Sequence, residues 1–154
     1  MAAFTTIDNP ELYFQTVLYT GDGSSHAITL GGDEDMSPSL VWIKERNSDI
    51  SHRVFDSVRG ATNRMFSNND DAESSEAESL KSFDSDGFTL GTGGSINGSS
   101  DTYVAWCWKA GTTSSISGGA ITPSAVSINT TSGFGIYKYT GVSGASSNIA
   151  HGLG

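Results

Sequence analysis

Apolar residues in this chain come in short runs separated by Gly, Ser, Asn and Asp, and no long segment keeps a helical period. The longest run without an interior turn residue is Asp101 to Gly111, DTYVAWCWKAG. Its aromatic and β-branched residues predict a strand over Tyr103 to Trp108. Alternation places Val104, Trp106 and Trp108 on one face and Tyr103, Ala105 and Cys107 on the other. Both faces are largely apolar. That predicts a central strand covered on both sides, with Trp106 and Trp108 in the core.

Other segments follow the same grammar. Asn9-Pro10-Glu11 predicts a short helical start, with Asn as cap and Pro in the first turn. Gln15 to Thr20 and His26 to Leu30 predict two strands joined as a hairpin by Gly21-Asp22-Gly23-Ser24. Leu40 to Ile43 is a continuous apolar run and predicts a buried strand that includes Trp42. His52 to Asp56 returns antiparallel to it, with Phe55 in the core, and Arg64 to Ser67 follows as a short strand. Asn68 to Ser79 reads as a long acidic loop. Leu80 and Phe83 return to the core, Asp84 to Gly87 is a turn, and Phe88 to Leu90 is a strand with Phe88 buried. Short strands at regular spacing with turn chemistry between them predict an all-β, antiparallel β-sandwich of the jelly-roll or concanavalin-like kind.

Composition agrees with one domain of ordinary size: 154 residues, 19 of them glycine, only 3 proline, and 16% charged. The formal net charge of −9 argues against a nucleic-acid surface, which needs a basic patch, and against docking on anionic membrane. The single cysteine, Cys107, can form no intrachain disulfide and supplies no zinc framework. The first residues carry neither a basic region nor a long apolar run, so they do not read as a secretory signal.

There is no GxSxG elbow and no HExxH pair, and His26, His52 and His151 are far apart in sequence. Asp33, Glu34 and Asp35 form a solvated acidic loop in preference to a calcium site. Asp84 and Asp86 read as turn residues in preference to a glycosidase pair. No catalytic residue, metal site or cofactor is expected. Trp42, Tyr103, Trp106 and Trp108 are the aromatics that would stack on sugars if they were exposed, but their apolar neighbours assign the tryptophans to the core.

A partial internal repeat shapes the expected organisation. FQTVLYTGDG from Phe14 is echoed by FGIYKYTGVS from Phe134 at one constant offset. The expected division is an arm over 1–13, a sandwich over 14–111, a Gly/Ser/Thr-rich linker over 112–132 and the start of a truncated second repeat over 133–154. Half a sandwich cannot cover its own face, so the second copy is expected to continue in a longer chain or to meet a neighbouring subunit.

The blocks LVWIKERNS, VFDSVRGAT, FDSDGFTLG and DTYVAWCWKAG, in this order after LYTGDGS, resemble a family of repeat domains in tailed-bacteriophage virion proteins. The resemblance covers about Phe14 to Gly111. It implies a concanavalin-like or jelly-roll sandwich in a tail fibre or similar appendage, located in the virion and assembled in the host cytoplasm. It implies no enzyme activity and carries over no functional residues. The expected partners are other virion proteins and further copies of the chain, with a trimer favoured by that setting. The arm is expected to dock on the virion through Phe4, Ile7, Pro10, Leu12 and Tyr13. The alternatives are a module binding host surface glycans and a capsid decoration protein.

Overall fold

The computed structural model describes residues 7–111, 115–143 and 147–153. Asn9 caps a 3-10 turn at Pro10–Leu12, its side chain accepting from Glu11 N at 3.0 Å. The strands are β1 (Phe14–Thr20), β2 (His26–Thr29), β3 (Leu40–Glu45), β4 (Arg53–Asp56), β5 (Asn63–Met65), β6 (Ser74–Ser75), β7 (Leu80–Asp84), β8 (Gly87–Leu90), β9 (Thr102–Trp108), β10 (Ala125–Asn129) and β11 (Phe134–Lys138). A single helical turn, α1 (Gly94–Asn97), precedes β9.

The protein is an all-β antiparallel sandwich. A six-stranded sheet of order β1-β9-β3-β4-β5-β6 packs on a three-stranded sheet of order β2-β8-β7. The strand expected at the centre, β9, lies between β1 and β3 and pairs antiparallel with both. The expected return strand β4 pairs with β3, and β7 turns into β8 at the expected Asp84–Gly87 position. Gly87 adopts φ +120°, and a Cβ there would lie 2.0 Å from Ile28 O, so the turn admits only glycine.

Two pairings differ from expectation. β1 and β2 form no hairpin: β1 joins the large sheet and β2 pairs with β8 in the small one. The Gly21–Ser25 turn is therefore a crossing between layers, held by the buried Asn97 side chain. Asn97 Oδ1 accepts from Asp22 N at 3.0 Å, while Nδ2 donates to Ser24 O at 2.7 Å and Gly91 O at 2.9 Å. The segment expected as a linker contains β10, which pairs with β11. Gly111 permits this: a Cβ there would meet Ile128 O at 1.7 Å, so the β10 backbone lies directly against the exit from β9.

The core lies between the two sheets. Tyr103, Ala105 and Cys107 of β9 meet Val41, Ile43 and Phe55 from the same sheet and Ile28, Leu80, Phe88 and Leu90 from the other. Phe55 and Phe88 are fully buried as expected. Trp42, Trp106 and Trp108 are not in this core. They lie on the opposite face of the large sheet and are only half-buried. The physical reason is space. Phe55, Phe88, Tyr19 and Tyr103 already supply the aromatic volume between the layers, so β9 offers Ala and Cys inward at its other two inner positions.

This partition is measurable. Phe88→Ala should cost about 3–5 kcal/mol, the usual range for emptying a buried aromatic position. Trp106→Ala should cost clearly less, because its indole already meets solvent. Urea midpoints of the two variants at unchanged slope test the assignment, and equal losses would place Trp106 back in the core.

Candidate functional site

An antiparallel sheet with one covered face normally turns polar residues outward. The small sheet does so, with Thr29 and Lys81 exposed. The large sheet does not. Its outward positions form rows across the strands. Phe14, Trp108, Leu40 and Asp56 make one row. Thr16, Trp106, Trp42, Val54 and Met65 make the next. Leu18, Val104 and Lys44 make the third. Leu18 is 62% exposed, Met65 41% and Phe14 39%. An apolar, aromatic sheet face left open is a candidate binding surface.

At its centre Trp42, Trp106 and Trp108 line a shallow groove of about 250 Å³. The Trp42 and Trp106 rings lie 5.5 Å apart with planes tilted by 57°. One end is closed by stacking: Phe134 of β11 lies at 6.1 Å and 20° from Trp108, and Phe14 sits 4.9 Å from the same indole. Beyond that end, a second groove of about 590 Å³ runs between Leu40, Val54 and Met65 on the sheet and β11.

Trp42 is held by a single polar contact. Its Nε1–H donates to His52 Nδ1 at 2.9 Å, with the rings 5.6 Å apart. Nδ1 can accept only if it carries no proton, which fixes a neutral imidazole protonated at Nε2. Burial first, and the Lys44 charge second, hold the His52 pKa below its ordinary value. His52 was missed as a site residue because its sequence neighbours are polar. The signal was nevertheless available: once β3 and β4 form a hairpin, position 52 is the diagonal neighbour of Trp42.

Charge is scarce on this face. Asp56 is closed off by Arg59, whose Nε donates at 2.6 Å, and by the Val58 and Arg59 backbone amides at 3.0 and 2.9 Å. Lys44 Nζ is occupied by the carbonyls of Glu45 and Ser48, at 2.5 and 2.8 Å.

Several candidate positions turn out to be structural. Asp84 accepts from Ser82 and Thr89 hydroxyls, and Asp86 accepts from Met36 N. Asp33 and Glu34 lend backbone groups to Glu11 and Gln15. Among the described residues no group of three or more His, Cys, Asp or Glu side chains is placed to hold a metal. Burial pushes the Cys107 thiol up to about 12, so it stays protonated and is no nucleophile. Of the docking residues, Phe4 lies outside the described residues. Pro10 is exposed, while Ile7, Leu12 and Tyr13 are half-buried. The Pro10–Tyr13 segment is tied to the sandwich through Gln15 Nε2 to Glu11 O at 3.0 Å and Lys109 N to Tyr13 O at 2.9 Å.

These features define an all-β sandwich domain whose larger sheet keeps an aromatic face open. The chain belongs to the family described as a domain of unknown function (DUF7483), which matches residues 9–154 and so spans the sandwich, the expected linker and the β10–β11 hairpin. No curated protein matches the chain, and neither does any solved structure.

The Trp42–His52 contact predicts a pH response. The folded imidazole takes up its proton less readily than the unfolded one. The contribution of His52 to stability is therefore complete above the unfolded value of ~6.5 and is lost as pH falls from there through the lowered folded value. Tryptophan emission should titrate with an apparent midpoint on the acid side of ~6.5, and His52→Gln should remove the transition. An unchanged transition in the variant would show that the contact does not report on Trp42.

Proposed function

We propose that this chain is a non-enzymatic recognition and assembly module of a bacteriophage virion appendage, and that it acts through the outer face of its six-stranded sheet. The observation that carries this reading is the half-exposed trio Trp42, Trp106 and Trp108 on a sheet face of an otherwise acidic chain. Tryptophan combines a large apolar area with few rotatable bonds, which is why it is enriched where proteins bind partners. The virion setting rests on the four sequence blocks that resemble phage appendage domains.

In this reading the sandwich is a rigid carrier. Its layers are fixed by Asn97 and by the aromatic core, so the outer rows present a preformed surface with little ordering cost on binding. A second reading keeps the surface but closes it against another copy of the chain. The exposure of Leu18 and Met65 favours it, as does the engagement of Lys44 and Asp56, the charges in the three outward rows, by partners within the chain. A protein of net charge −9 meets least self-repulsion there.

A cryo-EM map of the assembled particle with this chain traced tests the proposal. The expected result is the sandwich in a tail appendage, with the residues before β1 against a neighbouring virion protein. Copies spread over the capsid lattice would replace the appendage by a decoration role. Absence of the chain from the particle would overturn the virion setting.

A further inference from the structure

We propose that the Trp42–Trp106–Trp108 groove binds the ring of a neutral saccharide, with Thr16 and the loops beside His52 supplying hydrogen-bond partners. This rests on the outer face being a recognition surface and names its ligand class. The groove volume, about 250 Å³, lies just below the usual range for whole drug-sized ligands, so it suits one ring of a longer glycan.

The chemistry follows from what lines the groove and what borders it. Its lining is indole alone. The face of an aromatic ring is electron-rich and attracts the weakly positive C–H faces of a sugar ring. The tilt of 57° between Trp42 and Trp106 makes a notch into which one ring edge can settle, with one indole beneath it and the other alongside.

A purely apolar ligand would leave the borders unused. On one side, Thr16 lies opposite Trp106 in the same outward row and is exposed. On the other, His52 N donates to Asn68 Oδ1 at 2.9 Å, and Ser51 Oγ lies within 3.5 Å of both the Asn68 and Asn69 amide nitrogens. Amides and hydroxyls of this kind exchange water for sugar hydroxyls at little cost.

Charge selects the neutral class. The Lys44 ammonium is already held by two carbonyls, and Asp56 is closed by Arg59. The three outward rows around the groove offer no free cation to an anionic sugar, since the exposed Arg46 lies beyond them past the end of β3, and such a sugar would also approach a chain of net charge −9.

The test uses the full chain and a panel of defined neutral oligosaccharides: β-glucan, xylan, mannan, galactan and chitin hexamers. Sulfated and uronic-acid oligomers of equal length serve as the contrast. Binding is read by tryptophan emission and by calorimetry. At least one neutral oligomer should give a saturable emission change, with the anionic ones weaker by about tenfold or more. Trp106→Ala should lower affinity by about tenfold or more, the scale of one lost stacking platform, and Trp106→Phe by less. Both variants are checked for a cooperative urea transition of unchanged slope, with binding measured well below its midpoint, so a folding defect is visible separately. Parallel sedimentation of the wild type and of Trp106→Ala separates two failures. If no neutral oligomer binds but Trp106→Ala dissolves an oligomer, the saccharide inference is overturned and the face stands as a protein contact. If neither happens, the recognition reading falls with it. Saccharide binding that survives Trp106→Ala would also overturn the proposed site.

Discussion

The narrow gap between the two sheets is the constraint from which the rest follows. Packed sheets stand about 10 Å apart, which leaves room for one interdigitated layer of side chains. Here that layer is filled by Phe55 from β4, Phe88 from β8, and Tyr19 and Tyr103, the last two stacked at 5.0 Å and 15°. A tryptophan on the inner face of β9 would compete with them for space. Ala105 and Cys107 occupy those positions instead, and alternation then forces Trp106 and Trp108 outward. Trp42 follows through the register of β3, because it lies directly opposite Trp106. One packing limit in the core thus sets the character of the outer surface.

The outer surface is finished by parts of the chain distant in sequence. β11 places Phe134 over Trp108 and narrows the open face to the Trp42–Trp106 side. His52, at the far end of the β3–β4 hairpin, fixes the Trp42 indole through its ring nitrogen. The two sides of the groove therefore differ, one walled by apolar aromatics and the other bordered by amides and hydroxyls. That difference is the basis of the saccharide chemistry proposed for the face.

Much of the fold was legible in the sequence because local rules and tertiary packing agree. The Asn9-Pro10 start, the Asp84–Gly87 turn, the β3–β4 return and the central place of β9 all follow from short-range chemistry. Two kinds of information were not local. The partner of β1 is decided by which layer it joins, and Gly21–Ser25 has the composition of a hairpin turn while serving as a crossing between layers. Likewise, alternation separated the two faces of β9 correctly, but hydrophobicity could not rank them. Indole is large enough to be apolar and polar enough to tolerate water, so Trp106 and Trp108 read as core on composition alone. The sequence repeat at Phe134 marked the start of β11, yet its partner β10 lay hidden in a stretch of linker-like composition.

Acrylamide quenching of tryptophan emission in the isolated chain tests the central claim most directly. All three tryptophans of the sequence share the open face. The account predicts ready quenching of Trp42 and Trp106, slower quenching of Trp108 between Phe14 and Phe134, and no fully protected fraction. A substantial fraction resistant to quenching would show that indoles lie inside the sandwich, and it would contradict the assignment of the outer face on which the functional reading stands.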